Sequence, residues 1–305
     1  MRITPTVLMN QSLGALSDVL ARMAKNQRRL ATGRDLLAPS DDPAGHAAAT
    51  RLAARLAATQ QFRRQAFAAN DRLAGSGAIL EALRPLMARA QELAVSAADA
   101  TKGPNERTAI GTEVNELLEE IVAQANRADD GRYLLGGRET LTVPLSMTRD
   151  VNGRITTATW NPRGVDDPVD LAIAQGITVQ TSVSGSDALG DDTDPDFVPT
   201  LLISLRDALL ANDPEAVRAT LDAFSGANTR LGNASADAGS RFRLVEATLA
   251  DLDTTEVAAR KALSDVTDAD IAQVAAELGQ QEIAFQAALQ ATAKAVQPSL
   301  LDFLR

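Results

Sequence analysis

The chain has 305 residues, with 40 acidic against 30 basic side chains and a formal charge of −10. That balance argues against nucleic acid as a partner, because phosphate binding needs a clustered basic surface. Cysteine is absent and His46 is the only histidine, which excludes disulfides, thiolate metal sites, His-rich metal cages and the HExxH motif.

The first element is predicted as a helix. Met9, Leu13, Leu16, Leu20, Met23, Gln27 and Leu30 recur at spacings of three and four, the stripe of a helix that packs lengthwise on a partner. Ala31 to Ser40 lose that period and carry Gly33 and Pro39, so they read as an extended connector. Asp42 then caps a new helix, and Pro43 at its first position sacrifices no internal bond. From Pro43 to about Ala100 a three-four alternation runs through Phe62, Ala66, Leu73, Leu80, Leu83, Met87 and Ala94. Such a helix would extend roughly 85 Å, with a mild bend expected at Pro85. Lys102-Gly103-Pro104 ends it, and a shorter helix with Ile110, Val114, Leu117 and Ile121 on one face finishes near Asn126.

At Asp130-Gly131-Arg132-Tyr133-Leu134-Leu135-Gly136-Gly137 the texture changes to turns. From Thr140 to about Leu189 Thr and Val dominate, Val151-Asn152-Gly153-Arg154-Ile155 signals a hairpin, and Ile177 to Thr181 alternates as a strand. Gly190 to Asp196 is an acidic loop. Its Asp-x-Asp-x-Asp spacing resembles a calcium loop, but Phe197 and Ile203 stand where the EF-hand needs Gly and Glu, so a solvated linker is the better reading. Helix resumes at Pro199, and Asp213-Pro214-Glu215 repeats the cap-plus-proline start. The longest seam follows from Val217 through Leu221, Phe224, Leu231, Phe242, Val245 and Leu252 to Leu263 without changing phase. Ser264 to Asp270 interrupts it, with Thr267 and Asp270 placed for a capping box. A last helix carries Ile271, Val274, Leu278, Gln281, Phe285, Ala288, Thr292 and Ala295, with Leu289 beside the stripe.

The layout is palindromic, and the expected fold is mainly α: a long antiparallel helical bundle, or coiled coil, built from both ends of the chain with a small β-rich insertion at the tip. Residues 1–42 and 264–305 would form a terminal assembly layer, 43–138 and 199–263 the bundle core, and 139–198 the outer insertion. The terminal seams are too thin to be stable alone, so the ends are expected to fray in the monomer and order when copies pack side by side. The residues expected to make those contacts are Leu13, Leu16, Leu20, Met23, Leu30, Ile271, Val274, Leu278, Phe285, Leu289, Leu300 and Leu301. No catalytic cluster, cofactor or metal is expected. The sequence has no run of about 18 uninterrupted apolar residues for a membrane and no N-terminal pattern of a secretory signal.

The two ends resemble the flagellin superfamily, and more closely its hook–filament junction branch, the third hook-associated proteins. The resemblance covers Met1 to about Gly137 and Pro199 to Arg305. It rests on Leu30-Ala31-Thr32-Gly33-Arg34, then Pro39-Ser40-Asp41-Asp42-Pro43-Ala44-Gly45, the exit run ending Gly136-Gly137, and Leu289-Gln290-Ala291-Thr292-Ala293-Lys294 with Ser299-Leu300-Leu301-Asp302-Phe303-Leu304. Leu135 stands where the family often has Phe, and Gln91 where flagellins often have Arg. The resemblance implies export through the flagellar type III apparatus without a cleaved signal, the C-terminal seam being held by an export chaperone. It further implies ring assembly with copies of itself, between the first hook-associated protein and the flagellin that it templates, outside the cell. A short flagellin, the filament subunit itself, is the alternative within the same superfamily.

Overall fold

The computed structural model describes residues 5–99, 101–163 and 166–296. Long helices come from both ends of the chain: α1 (Pro5–Thr32), α2 (Pro43–Ala97) and α3 (Pro104–Ala125) precede the strands. Three antiparallel pairs follow: β1 (Ala128–Asp129) with β2 (Arg132–Tyr133), β3 (Leu145–Arg149) with β4 (Ile155–Trp160), and β5 (Asp170–Ala174) with β6 (Ile177–Gln180). Then come α4 (Gly185–Leu189), α5 (Val198–Leu210), α6 (Pro214–Ala219), α7 (Leu221–Thr267) and α8 (Ile271–Val296). Contacts divide the chain into two units, 59–254 and 1–58 with 255–305.

In the unit 59–254, α2 and α7 run antiparallel, as their cross-links show: Arg63 pairs with Asp253 at 3.4 Å, and Asn228 donates to the Gln91 amide oxygen at 2.7 Å. The alternation read from sequence is the buried face, with Leu73, Leu80, Leu83, Met87, Phe224, Leu231 and Val245 all out of solvent. α3 packs closely along α5 at Gly111, where a Cβ would sit 3.3 Å from that of Leu209. The C-terminus of α2 leaves carbonyls without helical partners. The buried Arg107 guanidinium satisfies two of the carbonyls there, donating to the Ala97 and Asp99 oxygens at 3.2 and 3.0 Å, and also to Asn212 at 2.7 Å.

Residues 139–198 form no separate core. Leu145, Ile155, Trp160, Val183 and Leu189 join the helices' main cluster, while Ile173 and Val179 of the β5–β6 pair pack with Leu73 and Val245. The acidic loop is solvent-exposed from Asp191 to Pro195, as expected of a solvated linker, but it is also tethered. Asp196 pairs with Arg230 of α7 at 2.5 Å, and Asp192 accepts the Trp160 backbone N–H at 3.1 Å. Trp160 in turn donates its indole N–H to the Gly190 carbonyl at 2.8 Å and lies 6.0 Å from the Phe197 ring, centroid to centroid. Two further details depart from expectation. The long seam is interrupted at Thr220, whose hydroxyl bonds to the Val217 carbonyl. And α7 keeps Thr267, so no capping box forms with Asp270. Asp270 alone caps α8, accepting from the N–H groups of Ala272 and Gln273 at 2.9 and 3.1 Å.

Candidate assembly surface

The unit of 1–58 and 255–305 is organised by two connectors. Gly33 ends α1 with a left-handed φ of +69°, a conformation that glycine takes without penalty, and its N–H returns to the Arg29 carbonyl. Its own carbonyl accepts from the Ala269 N–H at 2.9 Å, and the Asp35 N–H donates to the Thr267 carbonyl at 2.8 Å. Arg34 and Asp268 thus form an antiparallel bridge between segments more than 230 positions apart. Ser40 is exposed in the turn that follows, and Asp41 pairs with Lys25 at 3.1 Å. Asp42 caps α2 by accepting from the N–H groups of Ala44 and Gly45, both at 3.0 Å, and Pro43 opens the helix. A Cβ at Gly45 would run into the free end of the Asp42 carboxylate, which would have to shift.

With the connectors joined, α1 and α8 lie along each other. The predicted contact residues divide between the two faces. Val274 is buried, at 1 % exposure, and Leu16, Met23, Leu30, Leu278 and Phe285 are partly buried. Leu13, Leu20, Ile271 and Leu289 are 49, 47, 49 and 44 % exposed. Leu13 and Leu20 stand seven residues apart, two helical turns, and so share one outer row. Ile283, which sequence reading did not single out, adds to this outer set at 70 % exposure. Leu300 and Leu301 lie outside the described residues.

A polar cluster on the inner face was also missed. Asn26, rather than the seam residue Gln27, is buried there, donating to Glu277 at 3.5 Å and accepting from Arg29 at 3.0 Å. Arg29 reaches both Glu277, at 3.3 Å, and Asp35. The signal was available: Asn26 lies three residues after Met23 and four before Leu30, so it continues the inner row that Leu16, Met23 and Leu30 occupy.

The last motif glycines sit in the other unit. Gly136 bridges Ser184, and a Cβ on it would lie 2.6 Å from the Glu139 carbonyl oxygen. Gly137 takes a φ of +57°. Together they turn the chain so that the Thr140 carbonyl accepts the Tyr133 N–H at 2.8 Å. Among the described residues no group of His, Cys, Asp or Glu is placed to hold a metal ion, and no helix is long and apolar enough to cross a membrane.

Helices from the two ends of one chain, closed on each other by connectors and carrying several half-exposed apolar side chains, define a helical structural protein built from both termini. The chain belongs to the flagellin family: the N-terminal helical region of bacterial flagellins matches residues 6–140, and the C-terminal helical region matches residues 221–304. It is 26 % identical over 147 residues to flagellar hook-associated protein 3 of Escherichia coli, a match covering 48 % of this chain and 46 % of that protein. The alignment thus spans about half the length of that relative. Flagellin FlaB1 of Treponema pallidum is 23 % identical over 300 residues, 93 % of each chain. The fold is that of a flagellar hook-associated protein of Vibrio parahaemolyticus, with a TM-score of 0.64 at 18 % identity over 75 % of this chain and all of the other.

Proposed function

We propose that this chain is a structural subunit of the bacterial flagellum that forms the hook–filament junction ring and templates flagellin polymerisation. The observation that carries the reading is the outer apolar set of α1 and α8, left over on helices whose inner faces already meet. Leu13, Leu20, Ile271, Ile283 and Leu289 are each about half exposed or more. At roughly 1.5–3 kcal/mol for a wholly buried large side chain, covering them offers on the order of 4–8 kcal/mol per subunit. Neighbouring copies supply that cover within the ring, with the first hook-associated protein on one side and flagellin on the other. Residues 1–42 and 264–305 act as the assembly layer, and their helices gain order as it closes. Before assembly the subunit leaves the cell through the flagellar type III apparatus, its C-terminal seam shielded by an export chaperone, because an exposed apolar row invites premature association. The two partner proteins, the chaperone and the extracellular location follow from this role and stand or fall with it.

The hook-associated relatives favour the junction over the filament, while the alignment with a flagellin along nearly its whole length favours a short flagellin as second reading. Deleting the gene separates the two. A junction protein leaves intact hooks, no filaments and flagellin monomer released into the medium. Filaments that still grow on hooks lacking this chain would rule the junction role out.

A further inference from the structure

The run from Asp130 to Gly137 does more than turn the chain. In the unit 59–254 its Arg132 joins Arg72 and Arg138 in lining a cleft of about 460 Å³, with the buried Thr140 on its wall and Asp170 as the one carboxylate beside it. Arg72 is fixed by donating to the Gly137 carbonyl at 2.5 Å, so the glycine turn itself supplies the anchor for one guanidinium. None of the three arginines forms an ion pair among the described residues, unlike the arginines that cross-link α2, α3, β3 and α7. Three cations against one anion are thus held together in a chain whose overall charge is −10. Burial, and after it the like charge of Arg132, push the Arg72 guanidinium below its ordinary value.

We propose that this cleft is a carboxylate-binding site, filled in the assembled flagellum by acidic side chains of an adjoining copy of this chain. A guanidinium fork matches a carboxylate in two parallel hydrogen bonds. The acidic surface of a second copy presents that group at the high effective concentration that assembly creates. The source of the carboxylate rests on the reading of this chain as an assembling subunit; the chemistry of the cleft does not.

The test has two arms and uses the full chain. In the first, citrate is the probe, and thermal unfolding of the purified monomer is followed with and without it. The wild type should gain roughly 2–4 °C in midpoint, and the double variant Arg132→Gln/Arg138→Gln, whose changed residues are exposed, should lose most of that gain. No gain in the wild type, or an equal gain in the variant, overturns the site. In the second arm the same variant replaces the wild type in cells, and filaments per cell are counted after shear. A several-fold loss of filaments with normal export supports the adjoining copy as the source. If citrate binding is lost but filaments resist shear as before, the source is not a neighbouring subunit and the proposal fails. The gene deletion above reports on the junction role independently of both arms.

Discussion

Leu20→Asp separates the folding of the monomer from its assembly. Leu20 is 47 % exposed in the outer row of α1, away from the buried Val274 and Asn26. A carboxylate there stays in water, and surface substitutions of this kind alter stability by about 0.5 kcal/mol or less. In the assembled layer proposed above the same position would be covered. The half-exposed leucine then forfeits on the order of 1 kcal/mol of further burial, and an uncompensated carboxylate adds at least about 2 kcal/mol of desolvation. A total near 3 kcal/mol weakens each contact by roughly a hundredfold. Leu278→Asp is the contrasting change: that residue is already partly buried in the monomer, so it should destabilise the unit of 1–58 and 255–305 as well as block assembly. Leu83→Asp, in the fully buried main cluster, should instead lower the melting of the 59–254 unit by on the order of 10 °C. Calorimetry of the three purified variants, beside a count of filaments on cells carrying each, makes the measurement. A Leu20→Asp monomer that melts like Leu83→Asp, or one that supports filaments at the wild-type level, would refute the division between inner and outer faces.

Three further outcomes are expected. Gly185→Ala should destabilise the 59–254 unit by about 1–3 kcal/mol, because a Cβ at that position runs into the Trp160 ring; the chain's single tryptophan makes its fluorescence the direct readout, and an unchanged emission and melt would contradict the packing. The Asp268 carboxylate accepts from the Ser264 and Thr267 hydroxyls, chiefly the former, which holds its pKa below the usual carboxylate value. A depressed acid contributes stability that is fully present above its unfolded pKa near ~4 and is lost as pH falls through the folded value. The protection factor of the Ala269 amide, its exchange corrected for the intrinsic pH dependence, should therefore hold steady through neutral pH and fall only in that acid window, since this N–H donates to Gly33; a loss of protection starting near neutrality would assign the bridge to another group. Limited proteolysis of dilute monomer should trim both ends and leave a core near residues 43 to 263, and full protection of α1 and α8 in the monomer would show that the layer needs no neighbours.

Most of the long helices were legible because their signals are local and repeat. Asp42-Pro43 and Asp213-Pro214 fix starts through cap chemistry, and the alternation from Phe62 to Ala94 marks one face turn after turn. What escaped depends on contacts between distant segments. Nothing near Arg34 announces a bridge to Asp268, and nothing near Arg107 announces that its guanidinium closes the end of α2. The tether of the acidic loop escaped because Asp191 to Asp196 has no basic neighbour in sequence; Arg230, which holds it, is a full helix away. How the terminal seam divides between its edges was not legible for a similar reason. A stripe of leucines cannot say which of its edges meets the intramolecular partner, and here the buried edge carries Asn26 while Leu13 and Leu20 are turned out.

That placement has a consequence for assembly. A pair closed by leucines on every facing position would hold firmly but could slide by a turn, since apolar side chains accept many registers. In α1 and α8 the inner face adds to Leu16, Met23, Leu30, Val274, Leu278 and Phe285 a polar set: Asn26, Arg29 shared between Asp35 and Glu277, and two backbone bonds between the connectors. Partly exposed ion pairs contribute about 1 kcal/mol or less apiece, so these groups set register more than they add strength. Leu13, Leu20, Ile271 and Leu289 are only about half covered in the isolated pair, so part of their apolar surface is left for a neighbour. For the subunit role proposed above, that division would suit a chain that must not associate before it is in place: a registered pair within the chain, with half-exposed apolar side chains left for the contact between chains.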